Sequence, residues 1–323
     1  MTSVRTSEPR PAGAAPRFCY LALVSANRDV MKRLATLEAA TAANWKDRWR
    51  QGYEILLPAT GDFLVVGDLH GHLENFRAAV EAADLASHPD RHILFQEVIH
   101  QLELGEDHSY RVLEEVAAQK ARYPDQVHVI LGNHDLAEWQ GREIFKGGLC
   151  LNLLFRGGIR NAYGDEATPT VHRAYQEFIG TMPVAVRACG DLLIVHTTPE
   201  RRYLDQMSAA HLRRDPTPDD WKAHGWVESL VWGRDFAQPT ADAFAERMQA
   251  AVFIVGHTPC RRGYRVPNTR HVIIDSKDDW GVYVPLDLSR RYTQAEVVAA
   301  IRPLVEGRAI GPDAEKKGAR RAS

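Results

Sequence analysis

Cysteine is scarce in this 323-residue chain: four in all, Cys19, Cys150, Cys189 and Cys260, far apart and with no CxxC pair. That spacing excludes a zinc ribbon, a thioredoxin-like redox motif and a disulfide framework, and it points to free thiols in a reducing compartment. An excess of charge of either sign is also missing, with 40 Lys+Arg against 42 Asp+Glu. A nucleic-acid binder held mainly by phosphate contacts would need a basic surplus, so no nucleic-acid binding is expected. No apolar run approaches the ~18–20 residues of a membrane-spanning helix, and no membrane role is expected. No GxxxxGK[ST] loop and no GxSxG elbow occur, which disfavours a P-loop NTPase and a serine hydrolase.

What the chain does have is 14 histidines. Their placement is organised. Phe63-Leu64-Val65-Val66 runs into Gly67-Asp68-Leu69-His70-Gly71, Val127–Leu131 into Gly132-Asn133-His134-Asp135, Leu192–Val195 into His196, and Val252–Val255 into Gly256-His257-Thr258-Pro259. A fifth run, Ile93-Leu94-Phe95, leads into Gln96-Glu97 and His100. Short β-rich runs that end in polar turns, with helical sequence between them, predict an α/β fold. Ligand sites of such sheets form at the carboxyl ends of the strands. One edge would then gather Asp68, His70, Glu97, Asn133, His134, His196 and His257. Imidazoles mixed with carboxylates suit Mn, Fe, Zn or Ni, and the set is large enough for two ions.

Residues 1–17, rich in Arg, Pro and Ala, read as a disordered leader, and 306–323 as a disordered tail. The run Phe18–Ala26 after basic residues is reminiscent of a secretory signal. Glu8, Pro9, Pro11 and Pro16 make a poor leader of that kind, so a cytoplasmic protein is expected. Between the ends lies one domain, 18–305. It opens with a helical segment over about 30–53, where Met31, Leu34, Leu37, Trp45, Trp49 and Tyr53 recur at helical spacing. It carries an insertion at 137–187 that is expected to shape a substrate pocket. Trp139, Phe145, Phe155 and Tyr163 either line that pocket or pack a local core.

The ordered set GDLHG (67–71), GNHD (132–135), a strand-end His196 and GHTP (256–259) resembles the calcineurin-like metallophosphoesterase superfamily, and most of all its phosphoprotein phosphatase branch. The likeness spans about 57–288. It implies a metallo-dependent phosphatase-like αββα sandwich with a dinuclear strand-end site, acting on a phosphorylated protein or small molecule. By the family pattern Asp68 and His70 bind the first metal, Asn133, His196 and His257 the second, and Asp68 and a water or hydroxide bridge the two. His134 is the general acid. Val231-Trp232-Gly233-Arg234 resembles the segment whose arginine grips the substrate phosphate, and Asn133 also orients it. Manganese is the ion expected to support activity.

One block departs from the pattern. Where the family has Gly-Asp-x-x-Asp-Arg-Gly, this chain has Gln96-Glu97-Val98-Ile99-His100-Gln101. Glu97 would replace a metal-bridging aspartate, one methylene longer. His100 would replace the aspartate that pairs with the catalytic histidine; it either hydrogen-bonds His134 or reaches a metal. Gln101 removes one bidentate phosphate contact. The remaining histidines, among them His72, His88, His172 and His211, read as surface or local hydrogen-bonding residues. The expected activity is hydrolysis of phosphomonoesters, including Ser/Thr phosphoproteins. The alternatives are a phosphodiesterase or dinucleoside-polyphosphate hydrolase, and a catalytically weak regulatory or binding protein on the same scaffold.

Overall fold

The computed structural model describes residues 28–102, 105–215 and 217–313. The expected leader and the Phe18–Ala26 run lie outside the described residues. The strands are β1 (Arg50–Gln51), β2 (Glu54–Leu56), β3 (Asp62–Asp68), β4 (Arg91–Gln96), β5 (Val127–Ile130), β6 (Phe145–Lys146), β7 (Leu149–Cys150), β8 (Ala185–Ala188), β9 (Leu192–Val195), β10 (Val252–Val255), β11 (Gly263–Arg265), β12 (His271–Ile274), β13 (Val282–Asp287), β14 (Arg302–Pro303) and β15 (Gly311–Pro312). The helices are α1 (Arg28–Lys46), α2 (Leu73–Ala83), α3 (Tyr110–Arg122), α4 (Asn133–Gln140), α5 (Leu151–Ile179), α6 (Ala209–Leu212), α7 (Trp226–Trp232), α8 (Gln238–Met248) and α9 (Gln294–Ala300).

Two sheets carry the site. One runs β14-β13-β3-β4-β5, with β3, β4 and β5 parallel; the other runs β1-β2-β8-β9-β10-β12-β11-β15, with β9, β10 and β12 parallel. Period-2 side-chain direction explains how they stack. Phe63 and Val65 of β3, Leu192 and Ile194 of β9, Val252 and Ile254 of β10 all point into one buried core between the sheets. Their alternate neighbours Leu64, Val66, Leu193, Val195, Phe253 and Val255 pack in a second core, which also holds Leu34, Leu37, Phe76, Leu113 and Phe244 of the helices. Both faces of each central strand are covered, which is why these runs are continuously apolar rather than alternating. This is the expected αββα sandwich.

The sheets meet at their carboxyl edges. Asp68, the last residue of β3, forms a parallel bridge with Asp275 just past β12. The Ser276 N–H donates to the Asp68 carbonyl at 3.0 Å, and the Gly67 N–H to Ser276 Oγ at 3.1 Å. These contacts tie one strand-end row to the other.

The structure differs from the reading of the chain in three places. The helical segment stops at Lys46, and Trp49–Tyr53 enter the β1–β2 hairpin, where Gly52 takes a φ of 58°. The four-residue aromatic spacing there is thus coincidental with a turn. In the expected tail, of which 314–323 lie outside the described residues, Gly311–Pro312 pair with Gly263–Tyr264 and extend the sheet. An open sheet edge offers backbone partners that composition does not reveal. In the insertion, α5 is not one straight rod: Gly164, at φ 79° and ψ 164°, breaks it into two arms. Phe155 is fully buried, Trp139 and Tyr163 pack against the core, and Phe145 is 64% exposed on the β6–β7 hairpin. No helix of the described residues is long and apolar enough to cross a membrane.

Candidate metal centre

Each expected ligand sits just at or past a strand end: Asp68 and His70 after β3, Glu97 after β4, Asn133 at the start of α4 after β5, His196 after β9 and His257 after β10. The turns are tight. His70, Glu97, His100 and His257 all have positive φ, at 43°, 47°, 63° and 61°. Such backbone is uncommon outside glycine and costs of order 1–3 kcal/mol per residue. The glycines of the motifs make room. A Cβ on Gly256 would stand 1.9 Å from Asp68 Oδ1, and one on Gly132 would stand 2.6 Å from Glu97 Oε2.

Glu97 lies at the centre. The backbone N–H groups of Asn133 and His134, which open α4, donate to Glu97 Oε2 at 3.1 Å and Oε1 at 2.8 Å. A helix N-terminus favours a carboxylate there. Burial opposes ionisation of Glu97, but the imidazoles of His196 and His134 beside it hold it well below the usual carboxylate range. Asp68 goes the other way. Burial, then the neighbouring charges of Glu97 and Asp275, push its pKa well up. Two carboxylates in one buried pocket repel, and a bound cation would offset that repulsion.

The histidines are held in the form that binds metal. His70 Nδ1 faces the carbonyls of Ile99 and His100 at 3.2 and 3.1 Å, so it carries the proton and Nε2 is left as the donor atom. Gln96 Nε2 donates to the Val66 carbonyl at 3.2 Å, which turns Gln96 Oε1 toward His196 Nδ1 at 3.3 Å. In the neutral ring His196 Nε2 is then a lone pair. It nevertheless meets Glu97 Oε2 at 2.6 Å and Asn133 Oδ1 at 3.1 Å. His257 Nδ1 lies 2.6 Å from the same Asn133 oxygen. Burial keeps the His70 pKa down at about 4 and those of His134 and His257 well below normal. Asp68 Oδ1 and His257 Nε2 are buried without a hydrogen-bond partner. Converging lone pairs and unpartnered acceptor atoms of this kind fit divalent cations.

Two donor trios meet the distance requirement for an ion: His70, Glu97 and His134, and Glu97, His196 and His257, each with ligand atoms within 4.8 Å of one another. Glu97 belongs to both. Asp68 stands beside the second trio, its Oδ1 3.8 Å from His196 Nδ1 and its Oδ2 accepting the His257 N–H at 2.7 Å. His134, expected as the general acid, is itself a member of the first trio. His100 turns both ring nitrogens to other partners: its Nδ1 faces His134 Nδ1 at 3.2 Å and its Nε2 faces Glu138 at 3.0 Å. Arg234 is exposed on the rim, its Nη2 donating to the His257 carbonyl at 3.3 Å. Gln101 lines a cleft of about 390 Å³ with His70, His72 and Lys277.

The sequence reading gave no site role to Gln96, Glu138 or His172, the last read only as a surface or local hydrogen-bonding residue. Gln96 sets the His196 tautomer. Glu138 and His172 complete a buried chain behind His134, with His172 Nε2 at 2.5 Å from Glu138 Oε1. The spacing His134–Glu138, one helical turn, was the available signal for Glu138. His172 had none, because it arrives on the far arm of α5.

The family model for calcineurin-like phosphoesterases matches residues 61–261. The chain belongs to that family, and with it to the metal-dependent phosphoric ester hydrolases. Among solved structures, a protein serine/threonine phosphatase from Saccharomyces cerevisiae superposes with a TM-score of 0.58 at 13% identity, covering 79% of this chain and 82% of its own. A cold-active protein-tyrosine phosphatase of a psychrophilic Shewanella species gives a TM-score of 0.51 at 15% identity, over 76% and 80% of the two chains. At these identities the likeness is one of fold. No curated protein sequence matches the chain.

Proposed function

We propose that the chain is a dinuclear phosphomonoesterase acting on phosphorylated proteins of the Ser/Thr type. Asp68, His70, Glu97, Asn133, His196 and His257 would hold two divalent ions, manganese being the activating one. The observation that carries the reading is the membership of Glu97 in both donor trios, the arrangement a shared ligand needs. Such ions, when bound, supply Lewis acidity and a water acidic enough to yield hydroxide near neutral pH.

The chain's own groups do the rest. Asn133 and Arg234 orient the phosphate oxygens, the guanidinium adding local positive charge in a chain whose formal net charge is −2. His134, once protonated at Nε2 from solvent, delivers that proton to the departing oxygen and returns to the neutral ring, a contribution of typically ~10²–10⁴-fold. The β6–β7 hairpin supports an extended substrate: it presents Phe145 and Leu149 to solvent, and its Lys146 is close enough to His70 for its charge to lower that pKa. The free thiols of Cys150, Cys189 and Cys260 suit the reducing cytoplasm, where this reading places the chain.

Gln101 favours a second reading. A neutral side chain where the resemblance implies arginine gives one fewer cationic contact, and a diester, carrying a single negative charge, needs fewer. Metal analysis of the purified protein, with turnover of p-nitrophenyl phosphate and bis-p-nitrophenyl phosphate in Mn²⁺, decides between them. Bound metal with faster monoester turnover is expected. Faster diester turnover would establish the second reading, and absence of both metal and hydrolysis would overturn the two together.

A further inference from the structure

The groups behind His134 form a continuous buried chain. His134 Nδ1 is 3.2 Å from His100 Nδ1, and His100 Nε2 is 3.0 Å from Glu138 Oε2. The same Oε2 accepts from Asn152 Nδ2 at 2.7 Å, and Oε1 lies 2.5 Å from His172 Nε2. The side chains of His100 and Glu138 are 0% and 1% exposed. Asn152 and His172 are 20 positions apart on α5, about 30 Å along a straight helix. Both reach one carboxylate because the helix turns back at Gly164.

Hydrogen-bond logic assigns the protons. The Glu138 carboxylate has three donors around it and no proton of its own to give, so His100 Nε2 must carry the hydrogen. In a neutral ring His100 Nδ1 is then a lone pair. A close nitrogen–nitrogen contact needs one N–H, so His134 Nδ1 supplies it. That leaves His134 Nε2 as the atom facing the metal-ligand side.

We propose that Glu138 is a positioning residue for His134, acting through His100. The chain His134–His100–Glu138 takes the place of a direct histidine–carboxylate pair and delivers the negative charge one ring further back. Asn152 and His172 hold the carboxylate in register. The role of His134 as proton donor rests on the function proposed above; the tautomers do not.

The test has two arms. Long-range ¹H–¹⁵N spectra of metal-free protein labelled at histidine read the tautomers directly. In the wild type His134 should be the Nδ1–H form and His100 the Nε2–H form. Glu138→Ala should release both into mixtures. If wild-type His134 is the Nε2–H form, the chain is wrong whatever the enzyme does.

The second arm compares an alkyl phosphate, whose leaving group needs a proton, with p-nitrophenyl phosphate, whose leaving group does not. Glu138→Ala should lower kcat for the alkyl ester by about 10²-fold and for the nitrophenyl ester by less than about threefold, with KM and metal content unchanged. Equal losses on both esters would reduce Glu138 to a structural residue and overturn the proposal. Glu138→Gln keeps the volume and removes the charge, so it gives the same contrast should the alanine variant fail to fold. If the wild type hydrolyses neither ester, the proposed function fails, and the tautomer spectra still decide the chain.

Discussion

Glu97 Oε2 lies 2.6 Å from His196 Nε2, although neither atom has a hydrogen to share when the imidazole is neutral and its Nδ1 donates to Gln96. The contact joins the two sheets across the site, since Glu97 follows β4 and His196 follows β9. A cation bound by both atoms would resolve it. Glu97→Gln removes the charge while keeping the shape, so metal content should fall and kcat should drop on the order of 10²-fold, at least what loss of an outer-shell partner costs. Elemental analysis beside turnover checks this; unchanged metal and rate would remove Glu97 from the ligand set.

Gly256 tests the packing of the same pocket. The added Cβ of Gly256→Ala meets Asp68 Oδ1 at 1.9 Å, so the carboxylate must move. Overpacking of this kind costs about 1–3 kcal/mol, and the metal should be lost with it. Gly157→Ala is the control: nothing lies within 4 Å of that Cβ on α5, and helix propensity should stabilise the protein by about 0.8–1 kcal/mol. Melting temperatures of the two variants should move in opposite directions.

Acidity governs the metal-free protein. Burial holds His70 at about 4 and His92 and His271 at about 3, against about 6.5 in an unfolded chain. Below that value the unfolded chain takes up more protons, so stability falls as pH falls. Burial, then the charge of Glu97, lifts Asp135 to about 8. The folded protein therefore keeps a proton there that the unfolded chain has lost, and this contribution disappears as pH rises toward 8. The histidines dominate on the acid side and Asp135, with Asp68, on the alkaline side. Stability should peak near pH 6.5 and decline on both sides, by about 1.4 kcal/mol per pH unit for each proton. Melting curves in a chelator measure it. Added divalent cation should flatten the alkaline limb, and a limb that rises instead would show Asp135 to be ionised.

His100→Asp restores the aspartate that the resemblance implies at this position, but the surroundings no longer suit it. Glu138 stands 3.0 Å from His100 Nε2 in a site closed to water. A second carboxylate there replaces a partner with a like charge, at a cost of roughly 3–5 kcal/mol. The single variant should melt well below the wild type. Adding Glu138→Gln should restore most of that loss, and a null coupling between the two changes would contradict the arrangement.

Much of this protein was legible in its residue order. The apolar runs before Asp68, Asn133, His196 and His257 are strands, because a strand buried on both faces must be continuously apolar. Strand ends in an α/β sheet are where ligands gather, so the donors themselves could be listed. The edges were less legible. Trp49 and Tyr53 keep a helical spacing yet enter a hairpin, and Gly311–Pro312 join a sheet that their composition does not suggest. Local spacing carries no record of a distant backbone waiting for a partner.

The sequence by itself determined which residues could bind metal and in what order along the chain, since residue type and strand periodicity are local properties. The resemblance already implied a bridging place for Glu97, which tertiary structure puts in both donor trios; tertiary structure alone decided that His100 turns toward Glu138. Those outcomes depend on how left-handed turns aim side chains, and on a helix that folds back at Gly164 to bring Asn152 and His172 to one carboxylate. Distances between atoms from different elements set them, and no spacing along the chain encodes such distances.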